Sequence, residues 1–477
     1  MTPLWTVDAM AQAMRAERSG ALPAEISGIS IDSRSLARGD AFFAIKGDAR
    51  DGHDFVDNAL KAGAGLAVVA RDQRARFAAD APLLLVDDVL EALRDLGRAA
   101  RARFTGKVIA VTGSVGKTST KEALRLALAA DGETHASAAS YNNHWGVPLS
   151  LARCPAHAKY AVFEIGMNHA GEITPLTQMA MPHVAIVTTV EPVHLEYFGS
   201  VEKIADAKAE IFLGLVAGGA AVLNRDNDQY GRLEAAARAA KVSRIVTFGA
   251  HPQAEARLVR HALQPDSSTV EAVIFGTPVT YKLGAPGRHI VMNSLAVLAA
   301  ASLAGADLAV AALALTRLKA AVGRGARIPL GLPNGEALLI DESYNANPAS
   351  MRAAIALLGQ AELGRHGRRI AVIGDMLELG DLGPGLHADL AGTIAENHID
   401  LVYCAGPLSR SLWEALPPGR RGGYAETAAA LEPAVIAAVR AGDAIMVKAS
   451  NGSKMGPLVK ALERQFPRRG ALAPAEG

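Results

Sequence analysis

The sequence predicts an α/β protein of about three domains, the central one a doubly wound, mainly parallel sheet. Three observations carry this. A chain of 477 residues exceeds one hydrophobic core, and its 50% apolar content can fill several. From residue 107 onward, apolar β-branched runs alternate with helix-forming runs. Residues 105–122 read T-G-K-V-I-A-V-T-G-S-V-G-K-T-S-T-K-E, an apolar strand, a glycine-rich turn and the start of a helix.

The first hundred residues predict short strands over 41–46, 65–70 and 83–86 and helices over 54–64 and 90–103, a small α/β domain. Strands are then expected over 107–112, 160–165, 184–190, 220–224 and 244–248, with helical patterns between them, the first over 118–130. A two-stranded patch follows over 269–275 and 279–283. Residues 292–315 are rich in Ala, Leu and Val but contain Asn293, Gly305 and Asp307, so they predict two buried helices broken at 305–307 rather than a membrane span. A glycine- and proline-rich linker is expected over 322–336, after which βα alternation resumes with strands over 337–341, 370–373, 401–404 and 444–447. The expected domains are 1–104, 105–322 and 323–466, and the tail 467–477 is expected to be disordered.

Composition removes several function classes. With 49 Lys+Arg against 48 Asp+Glu, no global field favours nucleic acid or an anionic membrane, so an anionic ligand must be held by a local site. Two cysteines, Cys154 and Cys404, make no disulfide framework, and the first ten residues lack the pattern of a signal peptide. A cytoplasmic protein is expected.

The turn at Gly113, Ser114, Val115 and Gly116, followed by Lys117, Thr118 and Ser119, brings backbone N–H groups, a helix N-terminus, an ammonium and a hydroxyl to one point. A nucleotide polyphosphate with its magnesium needs that combination, so an ATP-dependent enzyme is the starting hypothesis. The spacing G-x-x-G-K-T is shorter than the usual G-x-x-x-x-G-K-[ST]. Further polar residues close the central strands, where ligands of such sheets bind: Glu164 ends A-V-F-E-I-G, and His194 follows T-T-V-E-P-V. A carboxylate, Thr118 and phosphate oxygens suit magnesium, whereas histidine is an unusual ligand for so hard a cation. Spacing alone leaves His194 open between a structural histidine and a ligand, and it leaves Lys208 as a solvated helix residue. Asp32-Ser33-Arg34 reads equally as a turn with an ion pair, and Tyr344, Asn345 and Asn347 as a turn that satisfies its own backbone.

The ordered set T-G-S-V-G-K-T-S-T-K-E, Y-N-N-H-W-G-V-P-L-S-L, F-E-I-G-M-N-H-A-G-E-I, V-H-L-E-Y-F-G-S and A-K-A-E-I-F resembles the Mur ligase superfamily, ATP-dependent amide-forming enzymes of peptidoglycan assembly. D-E-S-Y-N-A-N-P at 341–348 and G-D-M-L-E-L-G at 374–380 resemble its branch that adds D-alanyl-D-alanine. I-D-S-R-S-L-A-R-G-D-A-F-F-A-I-K-G at 31–47 and D-G-H-D-F at 51–55 resemble its uridine-nucleotide-binding domain. The resemblance implies a three-domain fold, with a central P-loop sheet and a C-terminal Rossmann-like domain that closes on the nucleotide and binds the dipeptide. It implies ATP and Mg2+ as cofactors, with UDP-N-acetylmuramoyl-tripeptide and D-alanyl-D-alanine as substrates. A monomer without nucleic-acid partner or membrane insertion is expected.

Carried over by position, the resemblance implies that Lys117 and its loop cradle the phosphates and that Thr118 binds one magnesium ion. Glu164 and His194 would ligate a second, and Lys208 would be carbamylated to help hold metal near the γ-phosphate. Asn293 would contact the adenine, Arg324 and Asp341 would reach the nucleotide across the domain boundary, and Ser33 and Arg34 would lie near the uridine diphosphate. Tyr344, Asn345 and Asn347 would face the substrate. His144, His169 and His289 are expected to be structural or supporting.

Two stretches depart from the family pattern. The asparagine segment reads His289-Ile290-Val291-Met292-Asn293, and the late K-G-S-R-x-x-x-M-E element appears as K-A-S-N-G-S-K-M-G at 448–456, without its arginine and glutamate. No catalytic role is expected there, and Lys454 is read as a surface lysine. Rival readings are the third-residue-adding ligase, which the missing D-N-P-R string disfavours, a folylpolyglutamate-type synthetase, and a P-loop switch ATPase.

Overall fold

In a computed structural model the chain is described over residues 3–47, 50–138, 140–320 and 323–468. Most of the expected tail, 469–477, and the expected boundary at 322 lie outside these residues.

Three larger sheets follow one another along the chain. The first has five strands, Glu17–Ser19, Leu83–Val86, Leu66–Ala70, Asp40–Phe43 and Gly28–Ser30 in spatial order. Its inner residues, among them Phe42, Phe43, Val68 and Leu84, are fully buried. The expected helix over 54–64 begins as a 3-10 turn, Gly52–Phe55, and continues as Val56–Lys61. Asp51 caps that turn through His53 N.

The central sheet has nine strands. Its parallel part runs Arg244–Gly249, Ala220–Asn224, Val184–Val187, Lys107–Thr112, Tyr160–Glu164, Thr134–Ala136. The strand Lys107–Thr112 therefore sits between Val184–Val187 and Tyr160–Glu164, which belong to successive βα units on its two sides. The crevice beyond its carboxyl end is where such sheets bind ligands. Apolar clusters cover both faces, the condition for a mainly parallel sheet.

The two-stranded patch is part of a larger extension. Ala256–Leu263 pairs with Ser268–Ile274, which pairs with Thr277–Leu283, all antiparallel, and the group continues the central sheet edge. The helices Arg288–Leu303 and Leu308–Ala314 lie where the alanine-rich run predicted them, broken at Gly305 with φ 87. Among the described residues no helix is long and apolar enough to cross a membrane.

The C-terminal sheet has six strands in the order Ala326–Leu332, Gly335–Glu342, Ala444–Lys448, Arg369–Gly374, Leu401–Ala405, Arg421–Ala425. The linker expectation over 322–336 is corrected here. Residues Ala326–Leu332 form an antiparallel edge strand, because an edge position tolerates the missing N–H of Pro329. Apolar clusters again cover both faces.

The N-terminal and central parts are joined by side chain to backbone bonds. Trp5 Nε1 donates to Ala152 O at 2.8 Å, Arg153 Nε to Ile29 O at 2.7 Å, and Arg101 Nε to Ala180 O at 2.7 Å.

Candidate functional site

The phosphate loop leaves the buried strand Lys107–Thr112 and ends on the helix Lys117–Ala129. Gly116 is the residue before that helix and holds φ 86, which only glycine adopts without strain. A side chain there would also strike Asn293 Nδ2, 2.4 Å from the position of a Cβ, and one at Gly113 would strike Thr188 Oγ1 at 1.9 Å. The loop is tied to the next strand end as well: Thr188 Oγ1 donates to Val115 O at 2.6 Å, and Ser114 Oγ to Glu191 O at 3.0 Å. It is preshaped rather than slack.

Lys117 Nζ donates to Gly113 O at 2.7 Å, curling over its own loop. Burial lowers its pKa, opposed by Glu164 and assisted by Arg324, so both of those groups lie within its electrostatic reach. Lys208 is 3% exposed at the end of the helix Val201–Ala209, and its pKa is pushed well down by burial and then by Lys117. The solvated reading of Lys208 is thereby corrected: it is a buried amine held toward its neutral form.

Glu164 is buried at the end of its strand. Thr118 Oγ1 donates to Glu164 Oε2 at 2.8 Å and Asn142 Nδ2 to Oε1 at 2.7 Å. Ser140 Oγ lies 3.4 Å from Thr118 Oγ1 and also accepts from Arg324 Nη2 at 3.4 Å. Arg324, which also stacks on Tyr344 at 4.3 Å, thus reaches the central sheet from the start of the C-terminal part. Ser140 and Asn142 carried no expected role. Asn142 stands in the quoted Y-N-N-H-W string, but nothing in its spacing announces a partner on another strand.

His194 holds left-handed backbone, φ 55, before the short helix Leu195–Phe198. Its Nδ1 sits against Glu378 Oε2 as an ion-pair contact, though the ring N–H is not aligned for a regular hydrogen bond. The His194 contact holds the Glu378 carboxyl below the usual range. Among the described residues no group of three or more His, Cys, Asp and Glu is placed to hold a metal. A magnesium ion would therefore draw on Glu164, the Thr118 hydroxyl and phosphate oxygens, a hard oxygen set that suits it. His194 and Lys208 would join only as a nitrogen ligand and a modified amine.

The remaining expected residues divide. Asn293 lies against the phosphate loop at Gly116. Asp341 is buried and spends its carboxylate on Gly323 N at 2.9 Å, Ser343 N at 3.1 Å and Ser343 Oγ at 2.6 Å, which fixes the turn that carries Arg324. Asn347 caps the helix Pro348–Gly359 in a capping box with Ser350, and Asn345 Oδ1 accepts from Ala346 N at 2.9 Å. Tyr344 is exposed. Arg34 forms a two-pronged pair with Asp32, at 2.9 and 2.7 Å, which draws the Asp32 carboxyl down to about 2. Ser33 lies in the same turn.

Comparison with known proteins decides the family. Residues 25–101 match the model described as Mur ligase family, catalytic domain, 111–301 the Mur ligase middle domain, and 330–451 the Mur ligase, glutamate ligase domain. The chain belongs to the Mur ligase family. Among Mur ligases it is 34% identical to the UDP-N-acetylmuramoyl-tripeptide--D-alanyl-D-alanine ligase of Escherichia coli, over 92% of this chain and 94% of that one. It is 31% identical to the protein of the same name from Rickettsia prowazekii, over 90% and 94%. The structure of MurF from Acinetobacter baumannii superposes with a TM-score of 0.82 at 31% identity, covering 96% of this chain and 99% of that one. A Thermotoga maritima MurF ligase, solved in complex with ADP, gives 0.74 at 27% identity over 92% and 97%.

Proposed function

We propose that this Mur ligase joins D-alanyl-D-alanine to UDP-N-acetylmuramoyl-tripeptide at the expense of ATP, in peptidoglycan precursor synthesis. The observation that carries the reading is full-length similarity to ligases of that name, together with a preshaped phosphate loop carrying Lys117. The site residues are assigned by the same reading, and a monomer in the cytoplasm goes with it.

A carboxylate resists attack by an amine, and hydroxide is a poor leaving group. In the proposed sequence the terminal carboxylate oxygen of the tripeptide attacks the γ-phosphorus of ATP, the bond to the bridging oxygen breaks, and ADP leaves. The dipeptide amine then attacks the acyl carbon, the acyl C–O bond breaks, and phosphate departs while the amine loses a proton. Catalysis of this kind is mostly positioning and charge neutralisation. Lys117 would leave Gly113 O for the phosphates, with backbone N–H groups of the loop beside it. Arg324 would bring a second cation across the domain boundary from the turn held by Asp341. Magnesium, when bound, neutralises developing phosphoryl charge. Glu164 with Thr118 would hold it, and His194 would supply a further ligand. Lys208, kept toward the neutral amine by burial, is the form that adds to carbon dioxide: its nitrogen bonds the carbon, a proton is released, and a carboxylate-like ligand results. The N-terminal sheet, with Ser33 and Arg34, would take the uridine diphosphate, and the turn at Tyr344, Asn345 and Asn347 would line the dipeptide side.

The test is direct. Purified protein with ATP, magnesium, UDP-N-acetylmuramoyl-tripeptide and D-alanyl-D-alanine should yield a product heavier by the dipeptide less water. Product formed only with a single amino acid instead would overturn the assignment.

A further inference from the structure

Arg324 stands between Gly323 and Gly325, whose φ values of 72 and 96 lie in the left-handed region that favours glycine. So pliable a backbone needs outside fastening, and the end of the strand Gly335–Glu342 supplies it. Asp341 accepts Gly323 N on its carboxylate at 2.9 Å and Gly325 N on its carbonyl at 2.8 Å, while Tyr344 N donates to Gly323 O at 3.1 Å. The turn that carries Tyr344 is pinned from the neighbouring strand Ala444–Lys448. Nζ of the buried Lys448 donates to Asn345 O at 2.9 Å and to Glu342 Oε2 at 3.2 Å, and Ser450 Oγ donates to Ala346 O at 3.3 Å. The two segments touch, since a Cβ at Gly323 would stand 2.8 Å from the Cβ of Tyr344.

Their side chains meet as well. The guanidinium carbon of Arg324 lies 4.3 Å from the centre of the Tyr344 ring. Among the described residues no carboxylate pairs with that guanidinium, and its hydrogen bonding is confined to Ser140 Oγ, at a long 3.4 Å. Arg34, by contrast, is gripped by both oxygens of Asp32. A carboxylate orients a guanidinium by neutralising it, whereas an aromatic face orients it and leaves the charge and the N–H fork for an anion. The Tyr344 hydroxyl has no hydrogen-bond partner among the described residues, so the face of the ring is the part in use. We propose that Tyr344 is a positioning residue whose ring holds the Arg324 guanidinium, with its charge intact, toward the polyphosphate of the nucleotide. The inference rests on the reading of Arg324 as a nucleotide-facing cation, and it gives the Tyr344 ring a task on the nucleotide side rather than the dipeptide side.

The experiment titrates full-length protein, with magnesium, with the non-hydrolysable β,γ-imido analogue of ATP by calorimetry, and measures KM for ATP and for D-alanyl-D-alanine on the same preparations. Tyr344→Leu keeps apolar bulk at this exposed position but removes the π face. It should weaken analogue binding about 3- to 30-fold and raise KM for ATP alike, with KM for the dipeptide unchanged. Tyr344→Phe retains the face and should keep most of the affinity. The double variant Arg324→Ala/Tyr344→Leu should bind no more weakly than Arg324→Ala alone, because the ring acts through the guanidinium. Unchanged analogue binding in Tyr344→Leu overturns the proposal, and a rise confined to KM for the dipeptide does so too, since the ring would then be a dipeptide contact. An equal loss in Tyr344→Phe assigns the effect to the hydroxyl and also overturns it, as do additive losses in the double variant. Arg324→Ala separates the two readings. Normal analogue binding there removes Arg324 from the nucleotide site and the inference with it, whereas a loss there with none in Tyr344→Leu sinks the positioning role alone.

Discussion

The Thr118 hydroxyl donates to Oε2 of Glu164 at 2.8 Å, joining the first turn of the phosphate-loop helix to the end of the neighbouring strand. With Asn142 on Oε1, both oxygens of a buried carboxylate are satisfied before any cation arrives. Such a group can exchange neutral donors for a metal without its fold being remade. Glu164→Gln keeps the size and the hydrogen-bonding reach but removes the charge. It should raise the magnesium concentration for half-maximal ligation about tenfold, with the thermal midpoint little changed. An unaltered magnesium requirement would remove Glu164 from the cation site.

Lys117→Ala should abolish most turnover while leaving the fold intact, because among the described residues its ammonium hydrogen-bonds only its own loop, at Gly113 O. The expected loss is on the order of a hundredfold or more in rate. Circular dichroism and ligation assays on the same preparation decide it, and near-normal ligation by a folded variant would refute the phosphate-site reading.

Lys208→Ala should be nearly inactive and partly restored by a short carboxylic acid that can occupy the vacated space, as expected if the working group is a carbamate rather than an ammonium. Depleting carbon dioxide should slow the unmodified protein in the same way. Full activity of the alanine variant would exclude Lys208 from the mechanism.

Labelling the terminal carboxylate of the tripeptide with heavy oxygen should deliver one labelled oxygen to the released phosphate, since the acyl C–O bond is the one that breaks. Unlabelled phosphate, read by mass spectrometry, would mean that water attacks ATP directly.

Acid should weaken the fold through His135 and His183, both of which burial brings down to about 4 from an ordinary value of 6.5. Nδ1 of His183 accepts from Val108 N at 3.0 Å, an acceptor role that protonation ends. Each ring stays neutral in the folded chain while the unfolded chain takes up a proton, so their contribution is present above pH 6.5 and is lost progressively toward pH 4. Urea midpoints measured between pH 7 and 4.5 should fall, and His135→Gln should flatten the slope.

Much of this was legible in the residues. Lys107–Thr112, Leu83–Val86 and Ala220–Asn224 fall where β-branched apolar runs placed them, since strands buried on both faces leave continuous signals. The strands Ala256–Leu263 and Ala326–Leu332 were missed for opposite reasons. The first buries only Ala256 and Leu258 before a register shift at Leu258/Arg260 turns Val259, Arg260 and Ala262 outward, and the second contains Pro329 and Gly331, which read as breakers. In the candidate site, Gly116, Lys117 and Thr118 announce themselves because one short stretch carries them all. The His194–Glu378 and Arg324–Ser140 contacts do not, since each joins parts of the chain whose meeting only the assembled domains determine.

The close fit between Gly116 and Asn293 bears on the order in which the molecule assembles. The amide that braces the loop comes from the helix Arg288–Leu303, made long after the loop itself during synthesis. A nascent chain that ends before that helix would carry the whole glycine-lysine signature yet lack the side chain packed against it. Competence to grip a polyphosphate would then arrive late in translation, when the central sheet has closed on the helix Arg288–Leu303.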